Sequence, residues 1–254
     1  GEAELVPDGY HADGWLLLVN GVQSSHVIVG QPRMLDFEYM RWIAAVLDSH
    51  IQTHLNPDKL RITHLGGGAC SLARYCADVY PNSRNTVVEL DAKLAEYVRE
   101  WFDIPKSPRV KIRVGDAGTV TRSFAPASRD VVIRDVFAVD KTPAELTSVD
   151  FVRAVDHSMA PGGLYILNCG DGPSLDGARA EVAALFEVFE QVCLVADAAM
   201  LKGRRRGNII IAASHSPLPA AGSAEAAAIS RTLMGGGVPA QYRDSAQTRQ
   251  FARL

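Results

Sequence analysis

Ile62-Thr63-His64-Leu65-Gly66-Gly67-Gly68-Ala69-Cys70-Ser71-Leu72 runs from an apolar β-type segment straight into three glycines and out again into a helical pattern. Glycine at such a junction lets the chain turn sharply and lets a ligand approach backbone that a Cβ would shield. In a parallel α/β sheet, ligands lie beyond the carboxyl ends of the strands, where the strand order reverses. A tight turn without a ligand needs the same glycines, so the flanking sequence has to separate the two readings.

Downstream, strand, turn and helix patterns repeat. Strands are expected at Arg61–Leu65, Thr86–Leu90, Val110–Val114, Asp130–Ile133, Leu164–Leu167, Gln191–Val195 and Asn208–Ala212. Helices are expected at Ser71–Val79, Ala92–Phe102, Pro143–Ser158 and Asp176–Phe189. Alternation of this kind gives a parallel sheet covered on both faces. Only the basic loop Lys202-Gly203-Arg204-Arg205-Arg206 separates the last two strands, so they are expected to pair antiparallel at the edge, with that loop solvated.

Upstream, Trp15–Val19 and Ser25–Val29 flank Asn20-Gly21, a pair that tolerates positive φ at both turn positions, and read as a β-hairpin. From about Phe37 to Ile51, Tyr39, Ile43, Val46 and Leu47 recur at helical steps. After Ser214 the composition shifts to Pro, Ala, Gly and Ser, which reads as a linker and a weakly helical tail. The expected organisation is a hairpin with a connecting helix over 1–55, a Rossmann-like nucleoside-binding domain over 56–214, and a C-terminal tail over 215–254.

Two acids strengthen the ligand reading of the glycine run. Glu89 ends the second strand of the alternating region, 21 residues after Gly68, where a carboxylate accepts hydrogen bonds from both ribose hydroxyls. That requires Gly66, Gly67 and Gly68 to face Glu89 across a gap the size of a sugar. Asp91 suits the N-cap of the next helix. After the third of these strands come Asp116 and Ala117, where adenosyl-binding folds use the acid for the adenine amino group and the neighbour's N–H for a ring nitrogen. Asp116 equally suits an N-cap. Glycines and two acids in this order, at Rossmann spacing, point to a bound nucleoside.

Composition narrows the remaining classes. The 254 residues are 47% apolar and 22% charged, ordinary for a globular domain. A formal charge of -3 gives no basic field for nucleic acid, which is not expected as a partner. No apolar run reaches the ~18 residues of a membrane span, and the first residues lack a signal peptide's basic-then-apolar order. Cys70, Cys76, Cys169 and Cys193 lie far apart with no Cys-x-x-Cys pair, which suits a reducing compartment. A cytoplasmic protein without membrane partners is the expectation. The histidines, His11 and His26 included, show no metal-ligand spacing, so no metal is expected, and His64 reads as a core residue.

Asn20-Gly21-Val22-Gln23 followed by Asp36-Phe37-Glu38-Tyr39 resembles the spermidine synthase (polyamine aminopropyltransferase) family, in which Asp-Gly-x-x-Gln precedes Glu-Phe-x-Tyr. The glycine run, Val88-Glu89-Leu90-Asp91, Val114-Gly115-Asp116 and Val132-Ile133-Arg134-Asp135 continue the resemblance in the same order, from about Trp15 to Ala213. It implies a seven-stranded AdoMet-methyltransferase fold with a small N-terminal hairpin. It implies decarboxylated S-adenosylmethionine, or S-adenosylmethionine itself, as co-substrate, and transfer of an aminopropyl group to a small-molecule amine in polyamine biosynthesis. By position, Gln23, Gly66, Gly67, Gly68, Glu89, Asp116 and Ala117 would hold the nucleoside, and Asp135 beside Tyr39 would be the catalytic acid. An ammonium has no lone pair with which to attack, and a carboxylate at Asp135 can take its proton.

Several family positions differ. Gly-Gly-Gly-Asp-Gly-Gly is here Gly66-Gly67-Gly68-Ala69-Cys70-Ser71, without the Asp that helps hold the aminopropyl ammonium. Asp-Ser-x-Asp reads Asp135-Val136-Phe137-Ala138, and the Gln-Glu after the tyrosine reads Met40-Arg41. Fewer acids and an added arginine weaken the grip on a dication. Glu38, Asp140 and Asp171 are acids that could compensate. Three readings follow: an aminopropyltransferase with an altered acceptor, an AdoMet-dependent methyltransferase, and a nucleoside-binding member without catalysis. The hairpin's open strand edges invite a homodimer.

Overall fold

The turn Asn20-Gly21 folds with φ of 52° and 77°, the left-handed pair of a tight hairpin, and sets the first sheet. The computed structural model describes residues 1–138 and 141–254, so Asp140 lies outside the described residues. Strands β1 (Ala3–Pro7), β2 (Gly14–Val19) and β3 (Val22–Ile28) pair antiparallel in that order. The expected hairpin is therefore two strands of three. Leu17 and Val27 point from it into an apolar cluster with Ala69, Ala73 and Val98, which seats the small sheet over the segment after the glycines.

Helix α1 (Glu38–His54) buries Met40, Ile43, Val46, Leu47 and Ile51 along one face. The main sheet contains β4 (Arg61–Leu65), β5 (Arg84–Glu89), β6 (Val110–Val114), β7 (Arg129–Arg134), β8 (Met159–Asp171), β9 (Gln191–Asp197), β10 (Gly207–Ser214) and β11 (Ala240–Arg243). Its order is β11-β9-β10-β8-β7-β4-β5-β6. β6, β5, β4, β7 and β8 run parallel, and β10 lies antiparallel to both β8 and β9. All seven expected strands are present, and the late pair is antiparallel as expected. The edge, however, belongs to an eighth strand. β11 pairs with β9, so the segment expected as a tail completes the sheet.

Helices α2 (Ser71–Val79), α3 (Ala92–Trp101), α4 (Ala117–Arg122), α5 (Val149–Ser158), α6 (Asp176–Phe186), α7 (Ala198–Leu201), α8 (Ala224–Leu233) and α9 (Ser245–Ala252) complete the chain. The stretch expected as one helix from Pro143 splits into a 3-10 turn at Ala144–Thr147 and α5, because Ser148 takes the N-cap and its Oγ accepts the Phe151 N–H at 3.2 Å. Alternate strand residues feed two cores: Val132, Tyr165 and Ile211 face Phe151 and Val182, while Ile133, Ile166 and Ile210 face Ile43 and Ile229. Strands buried on both faces read as continuous apolar runs, which is why they were visible in the sequence.

The strand order reverses at β4, between β5 and β7. A crevice opens there at the carboxyl ends. Beside it, fully buried Arg134 at the end of β7 meets Glu181 of α6 at 2.6 Å, and its Nη1 donates to the Leu146 carbonyl at 2.6 Å. No helix among the described residues is long and apolar enough to cross a membrane.

Candidate active site

A cleft of about 740 Å³ occupies the crevice, and the residues expected to hold the nucleoside or do the chemistry line it: Gln23, Tyr39, Gly66, Gly67, Gly68, Glu89, Asp116, Ala117 and Asp135. The ladder directions bring them together. Past the strand ends, the Asp135 N–H donates to the Leu65 carbonyl at 2.8 Å and the Gly66 N–H to the Val88 carbonyl at 3.0 Å, so β7, β4 and β5 deliver their next residues side by side.

The glycines are forced by this crowding. Gly66 has φ of +91°, and a Cβ on it would sit 2.1 Å from the Asp135 carbonyl oxygen. A Cβ on Gly67 would lie 2.9 Å from Glu89 Oε2, and one on Gly68 2.5 Å from Ser25 Oγ. The expected sugar-sized gap between the glycines and Glu89 is closed at Gly67: Glu89 Oε2 accepts the Gly67 N–H at 3.0 Å and Oε1 accepts the Asp91 N–H at 2.9 Å. These bonds aim the carboxylate along the cleft wall. Each oxygen keeps a second lone pair for a hydroxyl.

Asp116 does act as an N-cap. Its Oδ1 accepts the Thr119 N–H at 2.7 Å, and that backbone bond holds its carboxyl below the usual range. Asp91 caps α3 through the Lys93 and Leu94 N–H groups, as expected. Both still line the cleft.

At the other end, Asp135 is held by two donors: Tyr39 Oη at 2.9 Å on Oδ2 and Asn168 Nδ2 at 3.0 Å on Oδ1. Burial raises its pKa, against the lowering effect of the Asn168 and Tyr39 hydrogen bonds. Tyr39 is raised well above the phenol range, first by burial and then by the neighbouring carboxylate, so it stays a neutral donor. Asn168, at the end part of β8, was not legible in the sequence. With its Nδ2 on Asp135, its buried Oδ1 has no partner among the described residues, and the residue borders the cleft.

The altered family positions lie differently from the expectation. Ala69 is fully buried in the apolar cluster under the small sheet, and its N–H donates to Ser25 Oγ at 3.0 Å. Arg41 does not line the cleft; it braces the turn before α1 through the Leu35 carbonyl at 2.8 Å and that of Asp36. Asp171 is structural, its Oδ2 accepting the Ala178 N–H of α6 at 2.8 Å. Glu38 does line the cleft, half-buried, and makes no ion pair among the described residues. The lining carboxylates are Glu38, Glu89, Asp91, Asp116, Asp135 and Glu145, with no Lys or Arg among the described lining residues. His64 is a buried strand residue whose Nε2 meets Asn85 Oδ1 at 3.0 Å, and burial pushes its pKa down to about 4.

No protein-family model matches the chain. Among solved structures it is similar to a probable spermidine synthase from Corynebacterium glutamicum ATCC 13032, with 59% identity and a TM-score of 0.96, covering 98% of this chain and 90% of that one. Human methyltransferase-like protein 13 in complex with SAH is similar at 25% identity and a TM-score of 0.61, covering 79% of this chain and 94% of that one. Among curated relatives, the mouse eEF1A lysine and N-terminal methyltransferase is 31% identical over 144 residues, 52% of this chain and 20% of its own. The polyamine aminopropyltransferase of Vibrio vulnificus (strain CMCP6) is 24% identical over 140 residues, 54% of this chain and 45% of its own. The chain thus spans less than half the length of either curated relative.

Proposed function

We propose, since the chain belongs to the spermidine synthase family, that it is a transferase moving the aminopropyl group of decarboxylated S-adenosylmethionine onto an amine in polyamine biosynthesis. The observation that carries this reading is the charge of the cleft: six lining carboxylates and, among the described lining residues, no Lys or Arg. Decarboxylated S-adenosylmethionine brings a sulfonium and an ammonium, and a polyamine acceptor brings further ammonium groups. S-adenosylmethionine itself adds a carboxylate, for which this wall offers no cation.

Glu89 takes the ribose, and Asp116 with the Ala117 N–H takes the adenine edge. Gln23, on β3, faces the nucleoside from the opposite wall. The acceptor amine sits at Asp135, which receives its proton. The freed lone pair attacks the carbon next to the sulfonium; the new N–C bond forms as the C–S bond breaks, and its electron pair neutralises the sulfur. A carboxylate whose pKa is raised is a better base than an ordinary one. Asn168 Nδ2 and Tyr39 Oη, each donating to one carboxylate oxygen, fix the orientation of Asp135 and so set the amine's line of approach.

Glu38 is the half-buried lining carboxylate left without an ion-pair partner among the described residues, and it holds the acceptor's second cation. The test is product formation, followed by mass spectrometry, from decarboxylated S-adenosylmethionine and a series of diamines and length-matched monoamines. Diamines are the preferred acceptors. Glu38→Gln raises KM for the diamine by about tenfold, the loss of one charge-assisted hydrogen bond, with kcat and the monoamine reaction unchanged. Equal use of monoamines and diamines by the wild-type protein, or an unaltered diamine KM in the variant, contradicts the assignment.

A further inference from the structure

Away from the cleft, the loop joining β1 to β2 folds against β3 and brings two of its own side chains, Asp8 and His11, to His26 of that strand. Asp8 Oδ2 lies 2.9 Å from His11 Nδ1 and 2.8 Å from His26 Nε2, and the three atoms are all within 4.8 Å of one another. Asp8 Oδ1 accepts the N–H groups of Tyr10 and His11, each at 2.8 Å, which fixes the carboxylate with its second oxygen turned to the imidazoles. The side chains of Asp8 and His26 are 5% and 3% exposed, while that of His11 is 43% exposed. No metal-ligand spacing was expected from the sequence; the fold nevertheless gathers these three groups, two from the loop and one from β3.

We propose that Asp8, His11 and His26 form a site for one divalent transition-metal ion of the zinc class. An ion about 2.0–2.2 Å from each ligand atom needs them roughly 3.3 Å apart, so the two short distances open by about half an ångström while the imidazole nitrogens, within 4.8 Å of each other, settle to the same separation. Two imidazoles and a single carboxylate suit Zn²⁺, Co²⁺ or Ni²⁺ and not Ca²⁺ or Mg²⁺, which require more oxygen ligands. The charge balance favours a cation. Asp8 is buried, and its ion pairs among the described residues are only to these two imidazoles. His11 opens to solvent, so water completes the coordination shell. None of the three residues lines the cleft, so the ion is structural. It ties the loop after β1 to His26 of β3, whose carbonyl accepts Ser71 Oγ at 2.9 Å and whose neighbour Ser25 accepts the Ala69 N–H. The bound ion thereby fastens the small sheet onto the chain that leaves the glycine run.

The test uses the full chain without an affinity tag, treated with chelator and titrated with ZnCl₂ by calorimetry. One ion binds per chain with a Kd on the order of 1 µM or tighter, and a hundredfold excess over Kd raises Tm by at least about 5 °C. His11→Ala, at a half-exposed position that leaves the fold intact, weakens uptake by at least about tenfold and abolishes the visible absorption of the Co²⁺-loaded protein. Absence of saturable Zn²⁺ uptake by the wild-type chain, or equal uptake by His11→Ala, overturns the proposal. Neither outcome touches the aminopropyl-transfer reading.

Discussion

Asp135→Asn lowers kcat by about 10²–10⁴-fold and leaves affinity for the nucleoside within about threefold. Asn keeps the size of Asp135, and its neighbours adapt: the Asn168 amide can turn to offer its oxygen, and the Tyr39 hydroxyl can accept as well as donate. What disappears is the group that receives the proton. Folding is the control. A carboxyl whose folded pKa is raised above its unfolded value contributes stability at low pH, and that contribution is lost as pH rises through the window above the unfolded value. The ionised form of Asp135 is therefore a burden on the fold at neutral pH, and the Asn variant melts no lower than the wild type there. Loss of turnover with an undiminished Tm places Asp135 in the chemistry; turnover within threefold of wild type removes it.

Glu181→Ala destabilises the chain by about 3–5 kcal/mol, a Tm loss of roughly 10 °C for a chain of this size. The cause is not the lost attraction alone. Arg134 is fully buried, and removing its carboxylate partner leaves an uncompensated guanidinium between β7 and α6. Because Asp135 follows Arg134 directly, turnover falls with stability. Replacing both partners by apolar residues of similar volume, as in Arg134→Met with Glu181→Leu, recovers most of the stability. A Glu181→Ala chain that melts within 2 °C of wild type contradicts the idea that this pair matters to the fold.

The sheet and the cleft were legible because buried parallel strands are written as apolar runs and because Gly66, Glu89 and Asp116 stand at strand ends, where the sequence period changes. Features created by pairing were not. β1 is five residues ending in proline, and β11 is four residues behind a glycine run; each is a strand only because β2 or β9 offers it a free edge. Asn168 lies inside a strand that extends well beyond its apolar stretch, since β10 pairs along it up to Asp171. The meaning of Ala69 and Arg41 was also hidden. Family spacing suggested a weakened cation grip, whereas packing puts the first in the core and the second on a backbone turn. Asp8 and His11 share the loop after β1, and His26 of β3 meets them only in the folded sheet.

Parallel calorimetric titrations of the protein with decarboxylated S-adenosylmethionine and with S-adenosylmethionine bear most directly on the central claim. A cleft walled by carboxylates binds the decarboxylated form more tightly by at least about tenfold, the worth of a single charge-assisted hydrogen bond together with the avoided repulsion between carboxylates. Tighter binding of S-adenosylmethionine, or of neither nucleoside, contradicts it.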